Sequence, residues 1–255
     1  MKITILQRPG QYTTKDFTLN LQKALQTLRG DLKASIRING FSKGGWATIS
    51  VDDGDSEILT ELIARSQGQA RTAMGDVELG GVYEGIIHGE EAGVLGVDIG
   101  IESPRRVIVR ITPEVLRAQL ADGKVLGVEQ ITRDYCLFSG IRTTVRITRF
   151  EPDSRVVEGW FADNEINRLS VWVGSHMDRI LVTDCFRHEV ESAVRRAKLE
   201  RDIVAVEPIT LTAHSMVCKL GTDAVGLIPK LGSILRKREL TPFVPRRILA
   251  RCRPW

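Results

Sequence analysis

Hydrophobic and polar positions fall into three successive patterns along the 255-residue chain. In the first, KITIL (2–6) reads as a strand, and Phe17, Leu19, Leu21, Ala24, Leu25 and Leu28 recur at helical spacing until Gly30 stops them. SIRI (35–38) and ATISV (47–51) predict two strands joined by the Gly-rich loop NGFSKGGW, whose chemistry is that of a hairpin turn. Asp55 is placed to cap a helix carrying Ile58, Leu59, Leu62 and Ile63, ended by Gly68. The order β-α-β-β-α predicts a small α/β sandwich over residues 1–70.

The second pattern, residues 71–150, changes to short Gly-punctuated strands at 82–88, 93–99 and 105–111. Thr112 followed by Pro113 predicts a helix start, with Val115, Leu116 and Leu120 inward and Gly123 as the stop. A second helical piece is expected over 128–135. After Gly140, IRTTVRITRF alternates cleanly: Ile141, Thr143, Val145 and Ile147 share one face, and Arg142, Thr144, Arg146 and Thr148 share the other.

In the third pattern, residues 151–255, VVEGWFA (156–162) reads as a strand. Asp163 is placed to cap a helix with Ile166, Leu169, Val173 and Met177. ILVT (180–183) reads as a strand, and Thr183 or Asp184 as the cap of a helix with Phe186, Val190, Ala193, Val194 and Ala197 on one face. Arg195, Arg196, Lys198 and Arg201 close that helix, where cations suit its dipole. IVAVEPITL and HSMVCKLGTDAVGLIPKLG follow, the latter read as a hairpin turning at GTDA. The fold class expected is α+β and multi-domain: an N-terminal α/β sandwich, a central OB-like β-barrel and a C-terminal α+β domain with a basic tail. Pattern breaks at QGQARTAMGD and FEPDSR predict first proteolytic cuts near residues 70 and 151.

The run VYEGIIHGEEAGVLGVDIG, then IVRITPEVL, then SGIRTTVRITRFEPDSR is similar to the S-one-type RNA-binding OB domain. Gly85, Gly93, Val97, Gly100, Gly140, Val145 and Asp153 fit the frame of that family. The resemblance implies an OB-type β-barrel that binds RNA. The family stacks bases on aromatics of its second and third strands, whereas here those strands are VLGVDIG and RRVIVRI, without an aromatic. Stacking contributes about 1–3 kcal/mol per base, so charge is left as the main expected attraction. The layout with GTDAVGLIPKLG near the C-terminus also resembles an uncharacterised family of archaeal proteins, which implies no activity.

Composition narrows the class. With 42% hydrophobic and 27% charged residues the chain is globular rather than disordered. No apolar run approaches the roughly 18 residues needed to cross a bilayer, and the short apolar start ending at Gln7 reads as a strand rather than a leader, so the expected location is the cytoplasm. Cys136, Cys185, Cys218 and Cys252 lack CxxC or finger spacing, predicting buried small hydrophobes rather than a zinc site. The net charge of +4 is unevenly spread. From Gly226 onward Lys230, Arg236, Lys237, Arg238, Arg246, Arg247, Arg251 and Arg253 face the single acid Glu239.

Candidate chemistry is sparse. His176, Asp178 and Arg179 fall at a helix end, where a polar terminus with local ion pairs explains them. Lys219, Thr222 and Asp223 read as turn chemistry. The cluster Asp52, Asp53, Asp55 lacks the distal Glu of a calcium loop, residue 63 being Ile. No Walker-type, G-x-S-x-G, H-E-x-x-H or dinucleotide fingerprint is present; no catalytic residue, metal or cofactor is assigned. Trp160 and Trp172 read as core or interface packing, and Trp255 as a terminal ring free to stack on a partner or tuck into a groove. The resulting expectation is a non-catalytic RNA-binding or ribonucleoprotein-associated factor. Its contacts would be Arg106, Arg110, Arg142 and Arg146 on the barrel and Lys230, Arg236, Lys237, Arg238, Arg246 and Arg247 in the tail. A protein–protein adaptor is the alternative, favoured by the missing aromatics, and a small-molecule enzyme comes third.

Overall fold

The computed structural model describes residues 1–151, 156–236 and 238–252. Asp153, Lys237, Arg253 and Trp255 lie outside the described residues. The chain is α+β, built around a closed five-stranded barrel.

The N-terminal unit contains β1 (Lys2–Thr4), α1 (Thr14–Arg29), β2 (Ser35–Phe41), β3 (Ala47–Asp52) and α2 (Ser56–Gln67). Its sheet has the order β1-β3-β2, all antiparallel. Phe17, Leu21 and Leu25 of α1 and Leu59 and Ile63 of α2 bury against Ile3, Ile49 and Val51, as the two periodicities require. Thr13 caps α1 by accepting from the Asp16 N–H at 3.1 Å. Asp55 is the N-cap position of α2, but its carboxylate accepts instead from the Lys33 N–H at 2.7 Å.

The barrel contains β4 (Val82–Glu91), β5 (Val94–Asp98), β6 (Val109–Ile111), α3 (Pro113–Leu120), α4 (Val128–Asp134), β7 (Arg142–Glu151) and β8 (Val156–Phe161). Its strand order is β4-β5-β6-β8-β7, closing back on β4. The sequence pattern had placed VVEGWFA in the third unit. It is the strand that closes the barrel, antiparallel to β7 and meeting β6 in parallel at Arg110 and Glu158. Closure needs this strand because β6 is only three residues long and would otherwise be a bare edge. Beyond the β6 contact, Gln119 of α3 takes over the pairing. Its amide donates to the Phe161 carbonyl and accepts from the Phe161 N–H, both at 2.9 Å.

The C-terminal unit contains α5 (Asp163–Gly174), β9 (Arg179–Val182), α6 (Arg187–Arg196), β10 (Ile203–Pro208), β11 (His214–Cys218), α7 (Ala224–Ile234), β12 (Leu240–Phe243) and α8 (Pro245–Arg251). Its antiparallel sheet runs β10-β11-β9-β12. One face, with Ile180, Val182, Met216 and Cys218, packs on α6 and α7. Leu181 and Phe243 join a second core that runs continuously through α5 and α8 into the barrel interior. The hairpin expected at GTDA is instead the start of α7. Ala224, Leu227 and Leu231 bury at helical spacing, and Asp223 caps by accepting from the Gly226 N–H at 3.2 Å. Asp178 adds a second acceptor at 3.1 Å from the Ala224 N–H. Arg179 reaches across the sheet to Glu207 at 2.5 Å and lies over the Trp172 ring, so its ion pair is with a distant strand rather than the local one expected at the helix end.

All four cysteines are buried and free. Burial pushes the thiols of Cys185 and Cys218 up to about 12, as suits small hydrophobes. Among the described residues no helix is long and apolar enough to cross a membrane.

Candidate nucleic-acid interface

The outward-facing positions of β8 alternate with its core residues. Val157, Gly159 and Phe161 point inward and Glu158 and Trp160 outward, leaving the indole 43% exposed. Register then places its neighbours. Arg146 of β7 lies directly opposite Trp160, and Val82 of β4 lies directly opposite Arg146. Arg110 of β6 is level with Glu158, hence one diagonal step from Trp160 on the same face. The barrel therefore carries an exposed tryptophan between two arginines, edged by the exposed Val82. Leu79 is exposed immediately before Gly80, whose N–H donates to the Ile147 carbonyl of β7. The segment VVEGWFA alone predicts core or interface packing for this ring; the alternation of β8, combined with the barrel closure, turns it outward.

The four barrel arginines separate into different roles. The Arg110 side chain is exposed and makes no hydrogen bond or ion pair among the described residues. Arg146 donates to the Gly80 carbonyl at 3.0 Å and lies 3.8 Å from the almost fully exposed Asp163, which leaves most of its guanidinium donors for a ligand. Arg106 is committed to Asp98, a carboxylate only 2% exposed, at 2.6 Å. That carboxylate also accepts from the Gly100 N–H at 2.9 Å, tying β5 to the loop before β6. Arg142 donates to the Ser66 carbonyl at the end of α2, at 2.7 Å, and so clamps the N-terminal unit to the barrel. Its charge also partly offsets the burial that pushes the Glu84 carboxyl up.

The basic tail is not an extended arm. Phe243, Val244, Ile248 and Cys252 bury at β and helix spacing, folding the segment into β12 and α8. Arg238 pairs with Glu189 at 3.3 Å and sits over the Tyr12 ring. Arg246 lies 3.6 Å from Asp223, Arg251 donates to Asp134 at 3.0 Å, and Arg236 donates to the Ser233 carbonyl. Lys230 and Arg247 are exposed without a side-chain partner among the described residues. Lys237 lies outside the described residues. The structure thus brings Arg110 and Arg146 together and disperses the other predicted contacts that lie among the described residues.

Comparison with known proteins adds little chemistry. Residues 177–241, which contain β9 through α7 and the start of β12, match the model of the DUF2110 C-terminal domain. No curated protein matches the chain. Among solved structures, the uncharacterized protein MJ1198 from Methanocaldococcus jannaschii is similar at 17% identity over 34% of this chain and 95% of its own, with a TM-score of 0.24, too low to support an inference. The chain is thus similar, over its C-terminal sheet, to an uncharacterised family of unknown function.

Proposed function

We propose that the protein binds single-stranded RNA on the barrel surface around Trp160, as a non-catalytic RNA-binding or ribonucleoprotein-associated factor. The observation that carries this reading is the exposed indole of Trp160, with Arg146 directly across the sheet and Arg110 one diagonal away. A base stacked on a tryptophan with phosphates met by flanking arginines is the usual economy of sequence-tolerant single-strand binding. The S-one-like frame of the sequence and the barrel with α3 and α4 between its third and fourth strands support the same reading. The indole takes the part that the family gives to aromatics on its second and third strands.

Two available arginines set the salt dependence. At about −0.7 per neutralised phosphate on a single strand, the log–log slope of affinity against salt is about −1.4. The test is a titration of labelled single-stranded RNA at several salt concentrations, with Trp160→Ala and Arg110→Ala beside the parent. Loss of about 1–3 kcal/mol of binding in Trp160→Ala is the expected result. Absence of binding at low salt would reject RNA and leave the exposed Leu79, Val82 and Trp160 as a protein-docking surface.

A further inference from the structure

A cavity of about 440 Å³ lies where the three units meet. Lys23 and Ala24 of α1 and the end of α2 line one side, Arg142 of β7 another, and the first turn of α6 with the β10–β11 loop the rest. Its wall is mainly apolar, with Phe186, Ile209 and Leu211 among the lining residues. Phe186 and Leu211 belong to the C-terminal unit yet pack on the N-terminal core, which draws the two units together without closing the space between them. His214 borders the same space, but both of its ring nitrogens are shut off from it. The ring is therefore wall, and it offers a ligand no hydrogen bond.

The charged side chains of the lining are Lys23, Arg142, Arg187 and Glu191. Glu191 neutralises Arg187 at 2.7 Å. The Lys23 side chain is exposed and makes no hydrogen bond or ion pair among the described residues. Arg142 spends one donor on the neutral Ser66 carbonyl. Three cations against one carboxylate leave a formal excess of two positive charges, which Glu84 beside Arg142 trims toward one. Apolar wall and unpaired cations together favour an anion with an apolar body. Covering the wall removes apolar area from water, and the low-dielectric surroundings strengthen the ion pair. Inorganic phosphate would leave the wall bare, and a neutral hydrocarbon would leave the cations unpaired. A carboxylate suits the planar guanidinium of Arg142, which keeps further donors for a bidentate contact. The volume falls in the range of small-ligand sites.

We infer that this seam cavity binds an apolar monocarboxylic acid, its chain against Phe186, Ile209 and Leu211 and its carboxylate between Lys23 and Arg142. The site is separate from the barrel surface around Trp160 and does not depend on RNA binding there. Calorimetric titration of the intact protein with octanoate tests it, beside hexanoate, octan-1-ol and octylammonium. One-to-one saturable binding is expected for octanoate. Each methylene removed should weaken binding by about three- to fourfold, so hexanoate falls by about tenfold. Octan-1-ol, which keeps the chain without the charge, should be weaker by about tenfold or more, and octylammonium should not bind. Lys23→Glu, on an exposed helix face, should weaken octanoate by about tenfold and leave octan-1-ol unchanged. Ala24→Leu narrows the cavity with little cost to the helix, and should weaken octanoate more than hexanoate. The Trp160→Ala protein, run in parallel, binds octanoate as the parent does. No saturable octanoate binding into the millimolar range, octan-1-ol or octylammonium binding as tightly as octanoate, or indifference to both Lys23→Glu and Ala24→Leu overturns the proposal.

Discussion

Arg106 and Arg110 lie four residues apart and looked alike as barrel cations, yet their surroundings assign them opposite consequences. Arg106 neutralises the buried Asp98. Removing it strands that carboxylate with one backbone donor, at a cost of about 1–3 kcal/mol given that the arginine itself is nearly half exposed. Arg106→Ala is therefore expected to lower the denaturation midpoint and leave the salt slope of RNA binding unchanged. Arg110→Ala should do the reverse, with stability within about 0.5 kcal/mol of the parent and a slope shallower by about 0.7. His214 gives the other residue-scale prediction. Burial holds its folded pKa down at about 4, below the ordinary 6.5 of a free imidazole, so the unfolded chain binds the extra proton between these values. Stability present above pH 6.5 is then lost as pH falls toward 4, by about 3 kcal/mol in all. Carboxylates titrate in the same range, so the measurement is a difference. Melting temperatures of the parent and of His214→Leu across this window should diverge, the variant declining less; parallel curves would sink the assignment.

At the scale of elements, the patterns that depend on a single segment were legible and those that depend on a distant partner were not. The alternation of β7 and the burial of Phe17, Leu21 and Leu25 on α1 follow from local periodicity. So does the Thr112–Pro113 start of α3. The place of β8 does not, because the strand joins the barrel through one parallel bridge to β6 and an antiparallel ladder to β7. Which face of Trp160 meets water is settled only by that membership, so the most telling residue of the candidate site was invisible in its own segment. Before and within α7, Gly221, Gly226, Pro229 and Gly232 punctuate the sequence as a turn would, and the apolar spacing of Ala224, Leu227 and Leu231 outweighs them once Asp223 and Asp178 cap the first turn. The closure of the barrel also explains Gly159. A methyl group there would sit 2.7 Å from the Arg146 carbonyl and 3.1 Å from Val109, wedging β8 away from β7 and β6. Gly159→Ala should destabilise by about 1–3 kcal/mol. It should also weaken RNA binding, since Trp160 and Arg146 lose their register, whereas Trp160→Ala weakens binding alone.

For the whole molecule, the expected division near residue 70 meets a chain segment held from both sides. Gln69 bridges to Ile5, Ala70 packs with Leu6, Trp46 and Ile86, and the Arg71 N–H donates to the Ile99 carbonyl at 2.8 Å. A protease needs an extended, unpaired stretch, so early cutting at this point is not expected. The break expected near residue 151 adjoins residues 152–155, outside the described residues, and now falls between two strands of one barrel. The two ends of the chain are joined as well. Gln7 accepts from the Leu211 N–H at 3.1 Å. Tyr12 donates to Glu189, accepts from the Phe186 N–H and from Arg238 at 3.2 Å each, and packs its ring at a 35° tilt against Phe186 with centroids 4.1 Å apart. Burial, with the adjacent Glu189 carboxylate, pushes the Tyr12 phenol well above its ordinary range, so it remains a neutral donor. With a seam of this kind, the N-terminal sandwich and the C-terminal sheet are expected to unfold together in one transition, seen alike by near-ultraviolet and far-ultraviolet circular dichroism. Tyr12→Phe keeps the ring packing and removes the hydroxyl; Glu189 keeps the Phe186 N–H at 2.8 Å and Arg238 at 3.3 Å, so the cost is that of lost hydrogen bonds without an orphaned group, about 0.5–1.5 kcal/mol. Since that hydroxyl belongs to the contact between units rather than to the core of either, the variant separates two kinds of molecule. If the units are coupled, the midpoint falls and the transition stays single. If they are merely adjacent, the transition splits, with the N-terminal sandwich melting first, and a split already present in the parent would reject the coupling outright.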